Sequence, residues 1–156
     1  MVQELASSLI KKLQENNLTI AVAESLTGGL VAASLTEIPG ASKVFKGSIT
    51  AYADEIKQNI LNVKDETITN FTSISEQVAL EMAINVRTIM KSDIGISTTG
   101  VAGPEKSAGF APGLVFVAIS IGDHNMCQKL EITGDRSKIR NQTVHELLQL
   151  TLSRLV

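Results

Sequence analysis

At 156 residues, 44% of them hydrophobic, the chain has the length and apolar content of one domain that buries its own core without staples. A net charge of −2 and 3% aromatic residues, with no Lys or Arg cluster, exclude the phosphate-neutralising stripe and stacking platform of a nucleic-acid binder. No uncharged apolar run approaches the roughly 20 residues of a bilayer crossing, and Cys127 with His124 and His145 gives neither an internal disulfide nor metal-ligand spacing.

No basic, apolar and small-residue succession of an export signal opens the chain, so a cytoplasmic protein is expected. Leu5, Leu9, Ile10 and Leu13 share one face of a first helix that stops near Asn16, and Leu18 to Ala23 reads as a buried strand. A turn around Ser25 leads into a helix over Leu30 to Leu35, broken at Pro39-Gly40, and Val44 to Tyr52 alternates as a second strand. A short helix carries Lys57, Ile60 and Leu61. Ser75-Glu76 opens a long helix with Val78, Met82, Val86 and Ile89 inward, which feeds a strand at Ile94 to Thr98. After a Gly- and Pro-rich loop, Leu114 to Ile121 and Asn125 to Ile132 flank Gly122-Asp123-His124 as a hairpin, and Asp135 caps a last helix. Helices interleaved with buried strands imply a three-layer α/β/α sandwich around a mixed, mostly parallel sheet of about five strands. Its site belongs in the loops at the carboxyl ends of the strands.

The turn from Glu24 to Gly29 is the first of those loops. A serine at a strand's carboxyl end, ahead of paired glycines and a helix, is a candidate nucleophile, and Ser25 or Thr27 acting only as a helix cap is the alternative.

Four segments in order, Ala23-Glu-Ser-Leu-Thr-Gly-Gly29, Phe45 to Lys57, Ser97 to Pro104 and Gly134 to Arg140, resemble the C-terminal domain of the competence-damage protein CinA, the nicotinamide mononucleotide amidase family. The resemblance runs end to end. It implies a single domain over 1–156 in stand-alone form, without metal or cofactor, that hydrolyses the carboxamide of nicotinamide mononucleotide to nicotinate mononucleotide and ammonia. The expected partner is thus a small pyridine mononucleotide, with no nucleic acid and no membrane, and a homo-oligomer is expected. The sequence departs from the family pattern in carrying Leu26 where a cysteine is common, and in the Gly103 to Gly113 loop, which is about one residue shorter and ends in Ala-Pro-Gly without the lysine of the usual Lys-Pro-Val-Gly.

Amide hydrolysis needs a nucleophile, a base that later serves as acid, and oxyanion donors. Neither histidine lies in a motif loop, which leaves a Ser-Lys arrangement with Ser25 attacking and Lys57 as base. Lys57 in the first turn of a helix would feel a positive end that disfavours its ammonium, and Tyr52 would relay the proton or orient Lys57 through its hydroxyl. A solvated helix lysine and a half-buried strand tyrosine are the alternatives, and the family pattern favours the catalytic pair. Backbone N–H groups around Thr27, Gly28 and Gly29 are the expected oxyanion donors, with Glu24 beside them in the substrate site. Thr99-Gly100 and Ala102-Gly103 read as a second cradle for the ribose phosphate or the nicotinamide edge, or as a tight strand exit only. Arg136 and Arg140 share a helix face and suit a phosphate, or pair with Asp135 or a neighbouring carboxylate. A non-catalytic nucleotide- or partner-binding module of the same fold is the alternative function, suggested by the altered loop.

Overall fold

The computed structural model describes residues 1–155. Six helices and five strands follow in the order α1 (Val2–Glu15), β1 (Ile20–Glu24), α2 (Leu30–Thr36), β2 (Phe45–Thr50), α3 (Asp54–Asn59), α4 (Asp65–Phe71), α5 (Glu76–Met90), β3 (Ile94–Gly100), β4 (Leu114–Ile121), β5 (His124–Glu131) and α6 (Arg136–Ser153). The sheet order is β2-β1-β3-β4-β5. β1 lies parallel to β2 and β3, while β4 is antiparallel to both β3 and β5. Only β4 is therefore reversed, and the expected mixed, mostly parallel sheet is present.

Alternation along β1 separates the two outer layers. Ile20 and Val22 pack with Leu9 and Leu13 of α1, Val31 and Leu35 of α2, and Leu147 and Leu148 of α6. Ala21 and Ala23 face the other way, onto Val78, Met82 and Val86 of α5. That second face is built from small residues, so α5 lies close to the sheet. A Cβ on Gly95 would sit 2.0 Å from the Ala83 carbonyl oxygen, and Ser97 Oγ donates to Ala79 O at 2.6 Å. Enlarging either residue would push α5 off the sheet and loosen the loops at its ends.

Local signals account for most boundaries. Ser75 and Asp135 cap α5 and α6 by accepting from Val78 N and Lys138 N. The β4–β5 hairpin turns through Gly122-Asp123 with Gly122 at φ 56, one residue tighter than the three-residue spacer read from the sequence. β1 starts at Ile20 rather than Leu18, because the chain first turns through Asn17 at φ 53. The helix α4 has no counterpart in the sequence reading. Its segment, Asp-Glu-Thr-Ile-Thr-Asn-Phe, has too few apolar residues to show a helical stripe, and only Thr67 is buried.

Among the described residues, no helix is long and apolar enough to cross a membrane.

Candidate active site

The carboxyl ends of β1, β2 and β3 lie side by side, and the loops leaving them make one site. The Ser25 turn is held from three directions. Ser25 N donates to Thr98 O at 3.1 Å and lies 3.2 Å from Thr98 Oγ1, which also hydrogen-bonds Thr27 Oγ1 at 2.8 Å. Arg140 donates from Nε to Leu26 O and from Nη2 to Thr27 O, both at 3.0 Å. Behind the turn, Glu24 accepts from Val31 N at 2.9 Å and from Ala32 N at 3.1 Å, a carboxylate at the positive start of α2.

These contacts revise two expectations. Glu24 is fully buried and its two oxygens are engaged by α2, so it anchors the turn and does not reach the substrate space. Its alternation with Ile20 and Val22 already directs it to the α2 face. Arg140 clamps two carbonyls of the Ser25 turn, which takes up most of its guanidinium fork and leaves it a positioning residue.

Ser25 is 7% exposed, and among the described residues its Oγ forms no hydrogen bond, which leaves it free to face a ligand. The N–H of Gly28 closes a turn onto Ser25 O at 3.1 Å, whereas those of Leu26 and Thr27 have no acceptor among the described residues. Of the expected oxyanion donors, Thr27 N–H and Gly29 N–H are thus without an acceptor among the described residues, Gly28 N–H is engaged, and Leu26 N–H is an additional free donor. Gly28 at φ 59 and Gly29 at φ 108 supply the left-handed backbone that brings the turn round into α2.

Lys57 is the largest fully buried side chain, at 2% exposure. Its Nζ donates to Tyr52 O at 3.1 Å and lies 3.8 Å from Asp54 Oδ1. Burial holds its pKa below the ordinary lysine value, opposed by the Asp54 carboxylate. The cause is thus desolvation, and not the helix end expected from the sequence: in the six-residue α3, Lys57 already belongs to the last turn. Tyr52 orients Lys57 through its backbone carbonyl, not its hydroxyl. The ring is 58% exposed, and its Oη accepts from Arg136 Nη2 at 3.1 Å while Arg136 Nη1 donates to Gly103 O. Arg136 thereby ties the loop after β2 to the loop after β3 across the rim of the site.

A cavity of about 110 Å³ opens between these loops. Of the residues expected there, Ser25, Tyr52, Lys57, Thr99, Gly100 and Ala102 line it, whereas Glu24, Thr27, Gly28, Gly29, Gly103, Arg136 and Arg140 stand behind or beside it. Thr99 turns its hydroxyl onto Ser73 O at 2.7 Å, so its side chain fastens the loop before α5 rather than awaiting a ligand. The sequence reading missed Asp54, Ser73, Ile74 and Ser107. Asp54 was legible as the residue one helical turn before Lys57. Ser73 and Ser107 sit in loops without a local signal. Neither histidine lines the cavity, and burial raises the half-buried Cys127 thiol to about 12, which makes it a poor nucleophile at neutral pH. Among the described residues no group of three His, Cys, Asp or Glu side chains is placed to hold a metal ion.

A family model described as the CinA C-terminal domain matches residues 2–155. The chain belongs to the CinA C-terminal domain family. A CinA-like protein of Dictyoglomus turgidum is 43% identical over 147 residues, 94% of this chain and 36% of that relative. The chain thus spans about a third of the length of such curated CinA relatives. Among solved CinA structures, a competence or damage-inducible protein from Enterobacter asburiae superposes with a TM-score of 0.98 at 34% identity, covering 100% of this chain and 99% of that one. A CinA superfamily protein from Enterobacter cloacae gives 0.97 at 32% identity, covering 100% and 93%.

Proposed function

We propose that this CinA domain is an amidohydrolase that converts nicotinamide mononucleotide to nicotinate mononucleotide and ammonia, with Ser25 as nucleophile and Lys57 as base. The observation that carries this reading is the pairing, in one small cavity, of a serine hydroxyl without a protein partner and a buried lysine whose pKa is lowered.

Neutral Lys57 takes the Ser25 proton as Oγ attacks the carboxamide carbon, and the oxygen that becomes negative is received by the Leu26 and Thr27 N–H groups. The C–N bond then breaks, and the proton now on Lys57 passes to the departing nitrogen, which leaves as ammonia. Lys57, neutral again, deprotonates a water that attacks the ester carbon, and it passes that proton to Ser25 Oγ as the C–O bond breaks and nicotinate mononucleotide leaves. Tyr52 O holds Nζ in place throughout. A cavity of this size is well below the roughly 300–1,000 Å³ of sites that enclose a whole drug-sized ligand. It suits one ring and its amide, with the ribose phosphate over the rim beside Arg136.

Ammonia release from nicotinamide mononucleotide by the purified protein tests the reading. The wild type is expected to turn over, and Ser25→Ala and Lys57→Arg each to lose about 10²-fold or more, the range for removing a nucleophile's activation. A folded Ser25→Ala protein with full activity would refute it.

A further inference from the structure

Asp54 is a carboxylate that the proposed chemistry leaves without a role. It lines the cavity with Ser25 and Lys57, and its side chain remains 54% exposed, so the charge is available to a ligand. The nearest cation is Lys57 Nζ at 3.8 Å, too long for a strong charge-assisted hydrogen bond. Lys57 itself must be neutral to act as base. In the working state, the lining then holds one negative charge and no positive one, because Arg136 sits outside the cavity on Tyr52 Oη and Gly103 O.

An unmatched carboxylate in a small pocket favours a ligand that brings the missing charge. The ring of nicotinamide mononucleotide is a pyridinium, cationic at the ring nitrogen, whereas its reduced dihydropyridine form has the same carboxamide, ribose and phosphate on a neutral ring. Building on the amidase reading above, we infer that Asp54 is the selector for cationic-ring amides, pairing with Lys57 in the empty site and with the ring cation in the complex. The exchange has a second consequence. A cation beside Asp54 screens the carboxylate whose charge favours the Lys57 ammonium, so substrate binding itself promotes the neutral amine.

The test uses binding to the whole chain, without turnover. In the Ser25→Ala background, calorimetry compares nicotinamide mononucleotide with its reduced form, with and without Asp54→Asn. Ser25→Ala is expected to bind the oxidised nucleotide at least tenfold tighter than the reduced one, and Asp54→Asn to bring that ratio close to one by weakening the oxidised form. Glu55→Gln, which removes the neighbouring carboxylate in the same helical turn that does not line the cavity, controls for long-range charge and is expected to leave the ratio unchanged. A ratio near one in Ser25→Ala, a ratio that survives Asp54→Asn, or an equal loss with Glu55→Gln would overturn the inference while leaving the amidase reading standing. Binding of neither nucleotide would overturn both.

Discussion

Lys57→Met is expected to make the protein more stable and inactive at once. The substitution keeps an unbranched side chain of similar reach and removes an amine that is 2% exposed. Replacing buried charge by apolar volume gains about 1–4 kcal/mol where it is not neutral. Against this stands one hydrogen bond, Nζ to Tyr52 O at 3.1 Å, whose loss costs about 1 kcal/mol and less where water from the cavity can replace it. The Asp54 pair, at 3.8 Å to a half-exposed carboxylate, adds little. A net gain of about 1–3 kcal/mol follows, and for a chain of this length each kcal/mol raises Tm by roughly 2–4 °C. The gain also has a sign with pH. The unfolded chain keeps the Lys57 proton up to its ordinary value of 10.5, while the folded protein releases it at lower pH. Between those two values the unfolded state binds more protons, so wild-type stability rises with pH. The advantage of Lys57→Met is therefore fullest below the folded pKa and fades as pH climbs toward 10.5. Thermal unfolding followed by circular dichroism at several pH values, with ammonia release measured alongside, checks both halves. A lower Tm for Lys57→Met at pH 7, or a gain that does not change with pH, would refute the claim that Lys57 is held in a state unfavourable to its charge.

Glu24→Ala deletes a buried carboxylate that accepts two N–H groups of α2, and each hydrogen bond to a charged group is worth about 1.5–3 kcal/mol. A loss of about 3 kcal/mol or more is expected in denaturant unfolding, and a neutral result would show that α2 does not depend on this anchor. Arg136→Ala is expected to lower kcat/KM at least tenfold more for nicotinamide mononucleotide than for free nicotinamide, because a rim guanidinium adds phosphate binding to its ties to Tyr52 Oη and Gly103 O. Equal losses on both substrates would assign Arg136 to loop support. Under the same account, wild-type activity rises with pH on its acid limb as Lys57 loses its proton, and an activity that falls over that range would contradict it.

The layers of the fold were legible because they rest on periodicity. The stripe Leu5, Leu9, Ile10 and Leu13 became α1, and Leu114 to Ile121 became β4 without a change of boundary. α4 was not, since its few apolar side chains give it no stripe and its N-terminus has no side-chain cap. The site was legible where a residue type and its place at a strand end coincide, as with Ser25, whereas Lys57, inside α3, was singled out only through the family pattern; the structure brings both to one cavity. It was illegible where a backbone atom does the work. Nothing in the identity of Tyr52 says that its carbonyl, rather than its phenol, holds Lys57, and nothing in the spacing of Arg136 and Arg140 says that they bind carbonyls of loops 33 and 114 residues away. Such contacts depend on how the loops meet, which is a property of the assembled sheet.

The most direct test of a serine mechanism is to catch the ester. During turnover of nicotinamide mononucleotide, acid quenching followed by intact-mass and peptide mapping is expected to show the protein carrying the acyl nucleotide on the peptide that holds Ser25, with hydroxylamine converting the product to a hydroxamate and Ser25→Ala carrying none. Steady ammonia release with no acyl adduct, no hydroxamate and undiminished activity in Ser25→Ala would contradict the account.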